Sequence, residues 1–317
     1  MRKPLVSVIS VNYNQAAVTC EMVASLRKVT YPNLQIIVVD NASPTDDPMV
    51  IKEQFPEVKL IRSSVNVGFA GGNNLGIAQA EGDYLLFLNN DTEVEPDFLE
   101  PLVELFERDR KVGIASPKII YYGTDRVLQY AGSTGINPWT GRSITIGQLE
   151  QDKGQHDTSR PTVLADGAAM MVPMRIIKEA GLMPEVYFLY YEELDWCEMI
   201  KRAGYTCHYV APSVVYHKES VSVGKASVLK TYYMNRNRLL FIRRNITGGP
   251  KWTSMLIFLL AAIPKKALEF GLRREGKHLK ALARGLWWNL TARNIHSKVT
   301  PSLSGKVPRE EALPSPG

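Results

Sequence analysis

The stretch "DYLLFLNNDTEVEPDF", residues 83–98, decides how the chain is read. Five of the six residues from Tyr84 to Asn89 are apolar, the pattern of a short strand buried on both faces. The run stops on Asn89, Asn90 and Asp91, three side chains that seek hydrogen bonds or a cation. Taken alone, that ending reads equally well as a turn, because Asn and Asp are favoured turn formers. The neighbouring segments decide between the two readings.

Upstream, "LVSVISVNY" (5–13), "LQIIVVD" (34–40) and "VKLIRS" (58–63) are further strand-like runs. Between the first two, Val18, Met22, Ala24, Leu26 and Val29 make an approximate helical stripe, and "GGNNLGIAQAEG" (71–82) is compatible with a second helix. Strand–helix alternation of this kind predicts an α/β fold with a mostly parallel central sheet covered by helices. Ligands of such sheets bind beyond the carboxyl ends of the strands. The polar endings Asn12-Tyr13-Asn14, Asp40-Asn41 and Asn89-Asn90-Asp91 all fall on that one edge. The coincidence favours a binding edge over a set of plain turns.

Further along, "VGIASPKIIYY" predicts another strand, while 131–161, rich in Gly, Thr, Ser and Pro, reads as loops and short antiparallel strands. Residues 167–181 read as a strand running into a short helix stopped by Gly181. "EELDWCEMIKRAG" (192–204) is a short amphipathic helix ended by Gly204, and "YTCHYVAPSVVYH" is a strand closing at His217.

The net charge of +6 conceals an asymmetry: residues 225–317 hold 18 Lys/Arg and 4 Asp/Glu, leaving 20 and 28 for residues 1–224. A basic end on an acidic body suggests an anionic partner, and the acidic ligand edge argues against nucleic acid. "KTYYMNRNRLLFIRRN" and "KKALEFGLRREGKHLKALARGLWWNL" read as basic amphipathic helices, either lying in a membrane interface or packed on the body. The intervening "SMLIFLLAAI" (254–263) reaches only about 15 Å as a helix, too short to span a bilayer. Residues 299–317 are Pro/Ser-rich and are expected to be disordered. Three cysteines form no disulfide framework, and residues 1–30 lack a secretory pattern, so a reducing cytoplasmic setting is expected.

The remaining chemistry lies in Asp91, in Glu192, Glu193 and Asp195 at a helix start, and in His217. Carboxylate and imidazole suit Mg2+ or Mn2+, cations that bridge phosphate oxygens. No phosphate loop of the GxxxxGK[ST] type occurs, "GFAGGNNLG" does not fit GxGxxG, and no tight CxxC pair supports zinc.

Seven blocks in order, "VSVISVNYN", "IIVVDNAS", "NVGFAGGNNLGI", "GDYLLFLNNDTEVEPDFL", "GAAMMVP", "YFLYYEELDWCEMIKRAGY" and "VVYH", resemble glycosyltransferase family 2, nearest its bacterial rhamnosyltransferase-like branch. The resemblance covers about residues 5–245 and implies a GT-A fold: a nucleotide-sugar half (1–115), an acceptor and catalytic half (116–224) and a basic helical extension (225–298). It implies an inverting, metal-dependent transfer from a dTDP-, UDP- or GDP-sugar to a saccharide or lipid-linked acceptor at the inner face of the cytoplasmic membrane. The branch leans towards rhamnose by analogy.

In that family the strand end carries a DxD motif that holds the cation on the donor pyrophosphate; here it reads Asn89-Asn90-Asp91, with one carboxylate left. The resemblance makes Asp91 and His217 the metal ligands and Glu193 the general base, with Glu192 beside it. Donor contacts fall on Asn12, Asn14, Asp40, Asn66, Gly68, Asn73 and Asn89–Asp91, and acceptor contacts on Asp166, Gly167, Asp195 and Trp196. Rival readings are a sugar nucleotidyltransferase, against which "VNYNQAAV" lacks any basic residue, and an inactive homologue that binds sugar nucleotides.

Overall fold

The computed structural model describes residues 3–218, 227–292 and 295. The first third alternates as expected: β1 (Val6–Asn12), α1 (Ala16–Leu26), β2 (Leu34–Asp40), α2 (Met49–Gln54), β3 (Lys59–Arg62), α3 (Gly68–Ile77) and β4 (Tyr84–Leu88). The four strands pair in parallel in the order β3-β2-β1-β4. Period-two alternation sorts their side chains. Val6, Val8, Val38 and Leu86 enter one core, while Ile9, Ile37, Leu85 and Phe87 enter a second core on the opposite face. A sheet buried on both faces explains why these runs are continuously apolar.

The sheet continues through β5 (Thr92–Val94), α4 (Leu99–Arg108), β6 (Val112–Tyr121), β7 (Leu128–Tyr130), β8 (Arg160–Thr162), β9 (Ala169–Pro173) and, after α5 (Met174–Ala180) and α6 (Glu192–Arg202), β10 (Thr206–His217). Strand β9 enters antiparallel between β4 and β6, giving the order β3-β2-β1-β4-β9-β6-β10-β5. The expected division at 115/116 falls inside β6, so the two halves share one sheet. Register Leu88↔Ala169 sets the start of β9 at the carboxyl end of β4, which brings residues 166–168 to the ligand edge.

Beyond the sheet lie α7 (Val228–Asn245), α8 (Gly248–Ile257), a π-helical segment (Phe258–Ala262), α9 (Ile263–Leu272) and α10 (Gly276–Thr291). The sequence treats this region as one basic amphipathic unit, and the structure divides it. Helix α7 is a packed element: Asn235, Arg236, Asn237 and Arg238 are all buried, as are Leu239–Ile242. Helices α8–α10 keep large apolar side chains on their surface, including Trp252, Leu256, Leu260, Leu268, Leu272, Trp287 and Leu290. No helix among the described residues is long and apolar enough to cross a membrane. The tail 299–317 lies outside the described residues.

Candidate active site

The strand ends form a connected hydrogen-bond wall. Asn90 Nδ2 donates to Thr19 Oγ1 (3.0 Å), Thr19 Oγ1 donates to Asn12 Oδ1 (2.9 Å), and Asn12 Nδ2 donates to Asp40 Oδ1 (2.9 Å). Ser43 extends the chain: its hydroxyl donates to Asp40 Oδ1 and accepts from the Asn14 amide at 2.8 Å. Asn14 Oδ1 in turn accepts from the backbone and hydroxyl of Thr45. Asn12 is fully buried and Asn90 nearly so; their amides hold β1, β2 and β4 in relative position. Asn89 is partly buried at the rim and ties β4 to the next turn through its backbone N–H on the Ala168 carbonyl.

Asp91 and His217 meet at this edge although 126 residues separate them. Nε2 of His217 lies 3.1 Å from Asp91 Oδ1, and its Nδ1 lies 2.9 Å from Gln129 Oε1. If Nδ1 donates to Gln129, the Nε2 lone pair faces a carboxylate oxygen, an arrangement that a proton or a cation must relieve. The donor set, one carboxylate oxygen and one imidazole nitrogen, fits a divalent cation whose other positions go to phosphate oxygens and water. No group of three His, Cys, Asp or Glu able to hold a metal occurs among the described residues.

Asn66, Gly68 and Asn73 shape the next loop more than they expose polar groups. Asn41, absent from the expected contacts, donates to Asn66 Oδ1 and the Gly68 carbonyl (both 3.0 Å) and accepts from the Val67 amide. Asn73 is buried and donates to the Phe69 carbonyl. Gly68 has φ +76°, and a Cβ there would lie 2.3 Å from the Phe188 carbonyl oxygen, so only glycine fits. That close approach docks the loop on the segment that presents Glu192 and Glu193.

This segment is strained. Phe188, Tyr190 and Tyr191 all have positive φ (64°, 69° and 78°), an unfavourable state for aromatic residues. Helix α7 holds it there. Asn237 Nδ2 lies within hydrogen-bond distance of the carbonyls of Tyr187, Leu189 and Tyr190 (2.7–3.0 Å), and Arg236 donates to those of Val186 and Tyr187. Phe188 stacks on Tyr233 with ring centroids 5.1 Å apart.

The two glutamates open α6 with different surroundings. Glu192 is buried, and burial followed by the neighbouring Glu193 pushes its carboxyl well above the usual range. Glu193 is partly exposed and is raised to about 7, chiefly by burial, with the Asp166 charge adding to it. Its side chain lies against Gly167, where a Cβ would sit 3.5 Å from Cγ of Glu193. Asp166 accepts from the Ala168 amide through Oδ1, closing the turn before β9. Asp91, Gly167 and Glu193 therefore line one stretch of the sheet edge.

Asp195 and Trp196 take a different place from the one expected of them. Both are fully buried, so neither can touch an acceptor. Asp195 pairs with Arg244 of α7 (2.6 Å), and Trp196 donates from Nε1 to the Gly181 carbonyl while its ring meets Phe87 edge-on. They brace α6 rather than face solvent.

The family model described as glycosyl transferase family 2 matches residues 7–177. Among curated proteins, the N-acetylglucosaminyl-diphospho-decaprenol L-rhamnosyltransferase of Mycobacterium tuberculosis is 22% identical over 88% of this chain and 97% of its own length. A low-salt glycan biosynthesis hexosyltransferase of Haloferax volcanii is 25% identical over 74% of each chain. Among solved structures, GalNAc-T7 with UDP, GalNAc and Mn2+ superposes with a TM-score of 0.60 at 19% identity, covering 76% of this chain and 48% of that one. A mannosyltransferase from Pyrobaculum calidifontis with GDP-mannose and Mn2+ gives 0.57 at 16% identity, covering 92% and 77%. Sequence blocks, sheet order and site geometry agree with these matches: the chain is a GT-A-fold member of glycosyl transferase family 2.

Proposed function

We propose that the protein is an inverting hexosyltransferase that moves a sugar from a nucleoside diphosphate to a lipid-linked saccharide at the inner face of the cytoplasmic membrane. The observation that carries this reading is Glu193, a carboxyl raised to about 7, set against the bare backbone of Gly167 on the edge that also bears Asp91 and His217. A base tuned near neutrality can take the proton of an attacking hydroxyl yet remain substantially ionised. Attack from the face opposite the leaving group needs only this one base, and inversion follows.

Asp91 and His217 are the residues that would hold Mg2+ or Mn2+, and a bound cation supplies charge stabilisation to the departing diphosphate. Asp40 and Asn14 border the space for the base and ribose, and the 66–68 loop brings backbone close to it. The mannosyltransferase and GalNAc-T7 were solved with nucleotide ligands and Mn2+, which supports a nucleotide-sugar donor. The mycobacterial relative acts on a diphospho-lipid acceptor and transfers rhamnose, which supports a lipid-linked acceptor and makes dTDP-rhamnose the first donor to try.

The exposed Trp252, Leu260, Leu268 and Trp287, in the α8–α10 region that also carries Lys265, Arg273, Arg274 and Lys277, supply an apolar and cationic face for an anionic bilayer. The protein should float with phosphatidylglycerol liposomes at low salt; if it stays in solution, the membrane placement fails. The donor is tested by calorimetry of UDP-, dTDP- and GDP-sugars with and without Mn2+, on wild type and Asp91→Ala. Metal-dependent binding of one class, lost in the variant, is expected. Metal-independent binding that survives Asp91→Ala would overturn the role given to Asp91.

A further inference from the structure

A second cationic site lies on the acceptor side of the carboxylates, formed where the 131–161 region meets α7 and α9. Arg238 of α7 donates from Nη2 to the Thr140 carbonyl at 2.6 Å, which binds the loop carrying Arg142 to the helix. One α7 turn away, Asn235 accepts from Lys266 of α9 at 3.2 Å, so Lys266 and Arg238 emerge on the same helix face. Gly141 is pressed onto Ile242 of α7, which fixes the start of the Arg142 segment against the same helix.

The three cations are not matched by an equal number of anions among the described residues. Among the described residues none of them forms an ion pair with a carboxylate; Glu269 is the acidic group within electrostatic reach of Lys266. Arg238 is only 6% exposed, and its Nε has no hydrogen-bond partner among the described residues. An orphaned guanidinium N–H in a buried position costs free energy unless a ligand meets it. The Arg142 charge acts on both Arg238 and Lys266, and after burial it is the next cause that lowers each of them. Three mutually repelling cations held together by backbone and amide contacts make an arrangement that an anion with several oxygens would relieve.

Two further observations say which anion. Tyr191, immediately before Glu192 and Glu193, packs its ring 5.9 Å from that of Phe241 on α7 and feels the charges of both Arg238 and Arg142, so the cluster lies near the base. On its other side the cluster meets apolar surface. Arg238 lies over the buried Phe258 ring at 4.8 Å, and Leu260 and Leu268 flank the same segment, 73% and 64% exposed.

We propose that Arg142, Arg238 and Lys266 form the subsite for the diphosphate of a prenyl-type lipid acceptor, with the lipid leaving over the Leu260–Leu268 surface and the acceptor sugar directed to Glu193. The inference rests on the reading of the acceptor as lipid-linked and adds the residues that recognise its charged link.

The test is calorimetric titration of farnesyl diphosphate, farnesol and inorganic pyrophosphate into the full-length protein. The variants are Arg142→Glu, Lys266→Glu, their combination and, separately, Asp91→Ala. Arg142 and Lys266 are chosen because each is less buried than Arg238, and circular dichroism melting checks that every variant folds. Wild type should bind farnesyl diphosphate more tightly than either fragment. Each charge reversal should weaken that binding at least about tenfold, the loss of roughly one charge-assisted bond. Asp91→Ala should leave it within about twofold, a tolerance well below one such bond.

Binding that survives both charge reversals but disappears in Asp91→Ala would place the diphosphate at the donor edge and overturn the subsite, while the transferase reading would stand. Farnesol binding as tightly as its diphosphate would overturn it as well. So would variants that lose phosphatidylglycerol vesicles while keeping farnesyl diphosphate, since the cluster would then serve a bilayer headgroup. Failure of wild type to bind farnesyl diphosphate at all overturns the inference outright.

Discussion

The two sides of the site are held by opposite means. On the donor side, Asn12, Thr19, Asp40, Ser43 and Asn90 bond to one another in a chain across three adjacent strand ends, and positive φ is confined to Asn14 and Ala42 in the loops that follow β1 and β2. On the base side, three aromatic residues sit at positive φ and two carboxyls are raised by burial, and a helix about 50 residues downstream holds the segment by its carbonyls. The first arrangement joins strand ends far apart in the chain by direct side-chain hydrogen bonds. The second stores unfavourable free energy beside the proposed base, and it persists because α7 over-determines it.

The comparison breaks first at Glu193. If it is the base, Glu193→Gln should lower kcat by about 10²–10⁴-fold while nucleotide affinity stays within a fewfold. In wild type the rate should rise with pH through about 7, the value to which burial lifts this carboxyl. The same substitution should stabilise the fold at pH 8. A carboxyl whose folded pKa is raised above its unfolded value binds its proton more tightly when folded. Its contribution is fully present below about 4.5 and is lost as pH climbs through about 7. Removing the titration should therefore gain about 1–2 kcal/mol at pH 8, discounted for partial exposure, and nothing near pH 4. A variant that lost both activity and stability at pH 8 would mark Glu193 as a structural contact.

Asn237 sharpens the contrast. Asn237→Asp keeps the shape but removes the donor that meets three carbonyls, and should cost about 2–3 kcal/mol in urea unfolding. It should also lower kcat at unchanged nucleotide affinity, because the wall of β1, β2 and β4 does not pass through α7. Equal losses in kcat and nucleotide affinity would show that the two sides are one mechanical unit.

How much of this was legible in the sequence follows the same division. The donor edge could be read because its devices are local: apolar runs of strand length ending in Asn or Asp, repeated at Asn12, Asp40 and Asp91. The pairing of β4 with β9 gave no such signal. It depends on a strand inserted antiparallel from some 80 residues downstream, and so does the placement of Gly167 beside Glu193. The role of α7 was illegible for a related reason. Asn235-Arg236-Asn237-Arg238 has the composition of a solvated helix, and its partners are the carbonyls of a loop about 50 residues away. Asn41 was legible only as part of the Asp40-Asn41 strand ending, and Gln129, inside the short strand β7, gave no signal of its own, although each holds a functional candidate in place.

Asp195 and Trp196 were within reach of the sequence. Glu192, Asp195, Trp196 and Ile200 recur at i, i+3, i+4 and i+8, one helix face, and that face is the buried one. The period marks the buried face of α6 without setting Glu193 apart, since Glu193 also stands three, four and seven residues before the buried Trp196, Cys197 and Ile200. The smallest expected effect tests this point. Trp196→Phe removes the 2.9 Å bond from Nε1 to the Gly181 carbonyl and part of the edge-on contact with Phe87. It should cost about 1–2 kcal/mol of stability, one buried hydrogen bond and some packing, with the KM for acceptor unchanged. A rise in acceptor KM at unchanged stability would require the indole to reach the sugar, and the buried face of α6 would have to open for that to happen.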